Sequence, residues 1–236
     1  MSKIKFFSVF FLLGISSYLF FSCNQNSPVT TQSPNASVSM MADNSSGPPW
    51  NDNTIHVTSA KFLIEFIKLE TVRGNDDGDI KIGPFVVYIN LNGTVTVIAL
   101  NSIPVGTYRE VHFKIHKHTP NEPVIDPDFG TADVGYSGII SGMYLGAPFV
   151  YRSSVTASQE VDIDPALIVS NGVTLAPAVN VTLIVNPKLW FTDGNGNLLN
   201  PLDEANMHEI DENIKASFRQ AFEDDDHDGH PNRHGH

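Results

Sequence analysis

Between about Ile55 and Val185 apolar residues recur at every second position, the spacing that turns one side of an extended chain into core and leaves the other wet. The run Tyr108–His118 shows it most plainly. Val111, Phe113 and Ile115 point one way, while His112, Lys114 and His116 point the other. Tyr136–Tyr144 and Phe149–Arg152 flank Leu145-Gly-Ala-Pro148, a Gly/Pro turn that predicts a hairpin. Gln159–Ile163 alternates up to Asp164-Pro165, and Leu167–Val169 and Val173–Leu175 bracket the turn pair Asn171-Gly172. Val179, Val181, Leu183 and Val185 then alternate with more polar neighbours. Ala60–Glu70 alternates through Phe66 and slips phase at Ile67 and Leu69, which one β-bulge accounts for. About seven to nine short strands with Gly/Pro punctuation predict a mostly β domain over residues 53–192, an antiparallel β-sandwich or barrel. From Asp203 to Phe222 the period becomes helical, with Met207, Ile210, Ile214, Phe218 and Ala221/Phe222 on one stripe and Asp211 and Lys215 spaced as an i,i+4 pair. A loop and one C-terminal α-helix are expected over 193–222, docked on the sheet through that stripe.

The N-terminus breaks this pattern. Lys3 and Lys5 precede an uncharged, Phe/Leu-rich run of 16 residues, Phe6–Phe21, and Ser22-Cys23 follows at once. A basic start, a short apolar stretch and a small residue before the cut describe a secretory signal, and the run is shorter than the roughly 20 residues of a spanning helix. With the chain's only cysteine directly after the small residue, residues 1–22 resemble a bacterial lipoprotein signal. The resemblance implies that Cys23 is lipidated, becomes the mature N-terminus and ties the protein to a membrane through its acyl chains. Asn24 is not the aspartate that retains such proteins at an inner membrane, which points to the outer membrane of the cell envelope. Residues 23–52, rich in Asn, Gln, Ser, Thr and Pro and without periodicity, read as a disordered tether.

Charge narrows the class of partner. Without Lys3 and Lys5 the mature chain has 12 basic against 26 acidic residues, a formal charge of −14. Such a surface repels phosphate backbones, so nucleic acid is not an expected partner. Anionic lipid headgroups are disfavoured for the same reason, leaving an envelope protein or a glycan.

Three stretches, Phe62-Leu-Ile-Glu-Phe-Ile-Lys-Leu69, Phe85-Val-Val-Tyr-Ile-Asn-Leu-Asn92 and Ile103-Pro-Val-Gly-Thr-Tyr-Arg-Glu-Val-His-Phe113, resemble an uncharacterised family of bacterial lipoproteins with a Pro-x-Gly-Thr-Tyr turn. The resemblance covers residues 54–118, with a looser continuation to 186. It implies a prealbumin-like (Ig-like) sandwich and export, and no activity. In this reading Gly106 frees the turn into the strand and Tyr108 covers the sandwich edge.

The acidic, His-rich tail, 223–236, holds the motif with most chemical content. Asp224, Asp226 and Asp228 alternate and Gly229 follows, the Asp-x-Asp-x-Asp-Gly opening of a calcium loop. Alternating carboxylates converge on a hard cation once glycine lets the backbone turn, and Asn232 falls at the ninth position, a usual ligand site. The twelfth position is Gly235 where a bidentate Glu is standard, so the expected Ca²⁺ affinity is weak, on the order of 10⁻⁴–10⁻³ M. Asp193-Gly-Asn195-Gly-Asn197, with Glu204 at the twelfth position, is a poorer version that a Gly/Asn turn explains as well. His227, His230, His234 and His236 form a second candidate set, for Zn²⁺, Cu²⁺ or Ni²⁺. His112, His116 and His118 share a strand face that reads as solvent-exposed, with Lys114 among them.

Catalytic constellations are thin. Gly135-Tyr-Ser137-Gly138-Ile139 lacks the last glycine of a nucleophile elbow, and His208-Glu209 is followed by Glu212 where a zinc-protease helix needs its second histidine. Trp190-Phe191 is either core or a platform for ligand stacking. The expectation is a non-catalytic envelope module, binding or structural, with weak Ca²⁺ binding at the tail. Transition-metal capture by the His-rich tail and a carbohydrate-binding or glycan-active surface protein stand as the alternatives.

Overall fold

The computed structural model describes residues 35–43, 54–71, 80–101, 103–130, 134–169 and 179–232. All lie in one unit, Ser33–His236; the leader and Cys23 belong to Met1–Gln32, outside the described residues, as does the Asn171-Gly172 turn. In chain order the strands are β1 (Ala36–Ala42), β2 (Ile55–Thr71), β3 (Ile80–Ile82), β4 (Phe85–Tyr88), β5 (Thr96–Asn101), β6 (Gly106–Ile115), β7 (Gly138–Tyr144), β8 (Ala147–Ser153), β9 (Ala157–Val169) and β10 (Val179–Val185). Helix α1 (Met207–Ala216) and strand β11 (Phe218–Glu223) complete them. The fold is mostly β with one helix near the C-terminus, as the periodicities require.

The strands are mixed, so the expected all-antiparallel arrangement is not clearly met. The strands join in one mixed sheet, ordered β5-β1-β10-β11-β9-β6-β2-β7-β8, with β3 and β4 also paired to β2. The pairings β1–β10 and β11–β9 are parallel. Parallel neighbours need long crossovers, which alternation within a strand does not encode. The sheet curls into a half-barrel. Phe218 on β11 meets Phe113 of β6 at 5.2 Å and Phe62 of β2 at 5.6 Å between ring centroids, although β9 separates β11 from both along the sheet.

Period-two positions fill the concave side as expected: Val111, Phe113 and Ile115 of β6 and Val181, Leu183 and Val185 of β10 are all buried. The long β2 carries register shifts in its pairings with β7 and β6, between Val57 and Ser59, Ile64 and Phe66, and Glu70 and Thr71. These bend it so that its first half pairs with β7 and its second with β6. Leu145 and Gly146, with φ of 50° and 81°, make the two-residue turn of the β7–β8 hairpin. Tyr108 is buried inside the core instead of covering an edge, and its hydroxyl donates to the Pro104 carbonyl at 2.9 Å. Strand β9 runs through Pro165, where the sequence suggested an end. Pairing with β6 jumps there from Asp162 to Leu167, so the missing N–H removes no rung from that ladder.

Two expected boundaries move. Residues 36–42 of the expected tether form β1, an interior strand. Their alternation of Ala36, Val38, Met40 and Ala42 with Ser37 and Ser39 is a strand pattern that the surrounding polar composition conceals. The helix expected to reach Phe222 stops at Ala216. Ser217 ends it by donating from Oγ to the Ile214 carbonyl while accepting from Trp190 Nε1 at 2.9 Å, and Phe218–Glu223 then pairs with β10. Ile210 and Ile214 are buried, but the pairing of Asp211 with Lys215 is not made. Asp211 accepts from the Tyr151 hydroxyl at 2.8 Å, and Lys215 lies 3.2 Å from Glu212.

Candidate metal centre

Strand β11 ends at Glu223, and the loop Asp224–Asn232 begins where the Asp224 N–H still donates to the Asn180 carbonyl on β10. The chain then reverses. His227 and Gly229 take left-handed φ values of 57° and 82°, and the Asn232 N–H returns to the Glu223 carbonyl at 2.9 Å, closing the loop on the strand that opened it. The glycine expected at the turn is therefore where a left-handed residue is needed.

Asp224 is fully buried, yet its carboxylate is met by three donors. Thr182 Oγ1 donates to Oδ2 at 2.7 Å, the Gly229 N–H to Oδ2 at 3.3 Å, and the Asp228 N–H to Oδ1 at 3.0 Å. A carboxylate offers about four lone-pair sites, so one stays open. Asp226 and Asp228 are exposed, and one oxygen of each of the three carboxylates lies within 4.8 Å of the others. None of the ion pairs among the described residues brings a Lys or Arg to this group. Three clustered negative charges with oxygen-only donors suit a hard cation such as Ca²⁺. Asn232 stands at the ninth position of the loop. Its Oδ1 accepts from the Asp225 N–H at 3.3 Å and fastens the loop.

The support beneath this loop was not foreseen. Ser37 and Ser39 of β1 both donate to Asn180 Oδ1 at 2.8 Å. Asn180 Nδ2 donates to Thr182 Oγ1 at 3.0 Å and to the Asp224 carbonyl at 2.9 Å, and the Thr182 hydroxyl donates in turn to Asp224 Oδ2. All five residues are buried. The polar parity of Asn180 and Thr182 was visible as the outward side of β10. What alternation lacks is the fact that the tail folds back and covers that side.

The other candidates fare differently. His227 and His230 are exposed and belong to no cluster of three ligand-capable side chains among the described residues; His234 and His236 lie outside them. Asp193 spends its carboxylate within its own turn, accepting from the Asn195 and Asn197 N–H groups and from Asn197 Nδ2 at 2.7–2.8 Å. These bonds hold its carboxyl below the usual range, and the turn reading stands. Trp190 and Phe191 are buried, so they are not a stacking platform. Trp190 packs edge-on against Phe62 at 5.8 Å, and Phe191 against Phe149 at 5.5 Å.

The strand histidines do not form one exposed face. His118 is buried against Gly130, where the lack of a side chain makes room for the ring. His116 pairs with Glu122 at 2.7 Å. His112 lies 3.3–3.5 Å from Glu70, Glu110 and Glu160 on three neighbouring strands, a grouping set by register that no linear spacing reveals. Lys68 holds Glu70 at 2.7 Å, so this group reads as a charge network on the outer face. No family model matches the chain, and no curated protein or solved structure is similar to it.

Proposed function

We infer that the protein is an exported, lipid-anchored, non-catalytic module of the cell envelope that binds Ca²⁺ weakly through its C-terminal aspartate loop. The observation that carries the calcium reading is the convergence of Asp224, Asp226 and Asp228 on a loop closed by its own hydrogen bonds, with the first carboxylate buried and braced. Preformed ligands lower the ordering cost of binding, while the missing twelfth-position carboxylate keeps affinity near that of extracellular calcium modules. The anchor rests on the Lys3/Lys5–Phe6–Phe21–Ser22-Cys23 leader. Fatty-acid labelling of cells tests it: wild type takes up label and Cys23→Ala does not, whereas equal labelling removes the anchor from the reading.

Thermal unfolding tests the calcium site. At 10 mM Ca²⁺, about 10–100 times the expected Kd, binding to the native state alone stabilises by about 1.4–2.7 kcal/mol, a rise in Tm of about 3–10 °C. Asp226→Asn/Asp228→Asn, both at exposed positions, keeps the fold and loses the rise. An equal rise in the variant means that the ion binds elsewhere.

A further inference from the structure

Strand β8 ends the sheet, so one of its sides meets no other strand among the described residues. Its pairing with β7 runs without a register shift from Gly138↔Ser153 to Tyr144↔Ala147, around the turn at Leu145 and Gly146. In such a hairpin Tyr144 and Ala147 exchange hydrogen bonds, and the exchange recurs at every second pair. Ala147, Phe149, Tyr151 and Ser153 therefore spend their backbone groups on β7, while those of Pro148, Val150 and Arg152 point out of the sheet. These groups have no hydrogen-bond partner among the described residues. The opposite end of the sheet differs: β5 is bulged where it passes Val38 and Ser39, a device that turns an edge away from further pairing.

The side chains suit an open edge that expects company. Met143, Pro148 and Val150 share one side of the hairpin, and all three are exposed. From Gly138 to Tyr151 the hairpin has no charged residue, in a chain of net charge −12. Arg152, the one charge on β8, lies over the Tyr136 ring, 5.8 Å from its centroid. The strand also reads alike in both directions about Val150: Phe149 and Tyr151 flank it, and Ala147 and Ser153 close the ends.

We propose that β8 is a self-association edge, pairing antiparallel with β8 of a second copy about a two-fold axis at Val150. The facing Val150 residues exchange N–H···O bonds, and each Arg152 N–H donates to the Pro148 carbonyl of the other copy. The missing proline N–H removes only the reciprocal bond. Phe149 falls opposite Tyr151 of the second copy, an aromatic cross-strand pair, and the Met143, Pro148 and Val150 side chains join across the axis. Any extended strand satisfies backbone groups. A second copy is selected by the match of aromatic to aromatic and small to small, and because neither acidic chain brings a carboxylate to the contact. The arrangement closes at two copies and leaves β8 no free side. It does not depend on the ion site.

Sedimentation of the full chain in mild detergent tests the edge. Wild type is expected to pass from the mass of one chain to twice that mass as concentration rises. Val150→Lys, which sets a charge beside the axis at an exposed position, stays at one. Cross-linking gives a second reading. In a Cys23→Ala background Val150→Cys is the sole thiol and oxidises to a disulfide-linked dimer, because it faces its own mate; Ile168→Cys, exposed on β9, does not. A single-chain mass at every concentration, or equal cross-linking from positions 150 and 168, overturns the proposal. So does a monomer that binds phosphatidylcholine vesicles and loses that binding in Val150→Lys, since the apolar side of the hairpin then belongs to lipid.

Discussion

At the scale of single residues, burial and partners decide between readings that composition left open. Trp190 is the clearest instance, with no exposed surface and its indole N–H given to Ser217. Trp190→Ala is expected to cost about 3–5 kcal/mol of unfolding free energy, measured by urea titration. A surface platform would lose far less. Thr182→Val removes the donor to a buried carboxylate and is expected to cost about 1.5–3 kcal/mol, the range for hydrogen bonds to charged groups. Asp126 offers a pH test. Burial pushes its carboxyl up, but hydrogen bonds from Lys61 Nζ at 2.6 Å and the Asp128 N–H, with the Lys61 charge, outweigh burial and hold it below its ordinary value. A depressed carboxyl contributes stability that is present above its unfolded value near 3.9 and is lost as pH falls through the folded one. The urea midpoint of wild type is therefore expected to fall below about pH 4, and Asp126→Asn to flatten that fall. An unchanged slope shows that the pairing with Lys61 contributes nothing to acid stability.

At the scale of elements, the chain's alternation reveals strands wherever both sides differ in polarity and conceals them where context intervenes. β6 was legible because Val111, Phe113 and Ile115 meet the core while His112 and Lys114 stay partly solvated. β1 was not, since its outward Ser37 and Ser39 match the polar stretch around them and are buried only because the tail lies over them. β11 was concealed differently. Phe218, Ala221 and Phe222 fit a helical stripe as well as a strand, and the free edge of β10 decides between them. The aspartate spacing was readable as a calcium loop, whereas its brace of Asn180 and Thr182 lies over 40 residues away in sequence and appears only in three dimensions. Met40 supplies a direct check on β1: Met40→Ala is expected to cost about 2–5 kcal/mol in denaturant unfolding. A residue in an unstructured tether would cost nothing.

At the scale of the whole molecule, the candidate functional features lie toward the two ends of the sequence. In the proposed reading the leader and Cys23 stand for export and anchoring and the aspartates for a cation site, and β1 lies beside the loop that carries those aspartates. The formal charge of −12 sits well with divalent cations, which a strongly acidic surface concentrates. Calorimetric titration of Ca²⁺ into the full chain, wild type against Asp226→Asn/Asp228→Asn, tests this account most directly. The account predicts one site with a Kd on the order of 10⁻⁴–10⁻³ M in wild type and no binding heat above dilution in the variant. Equal heats from both proteins would contradict it.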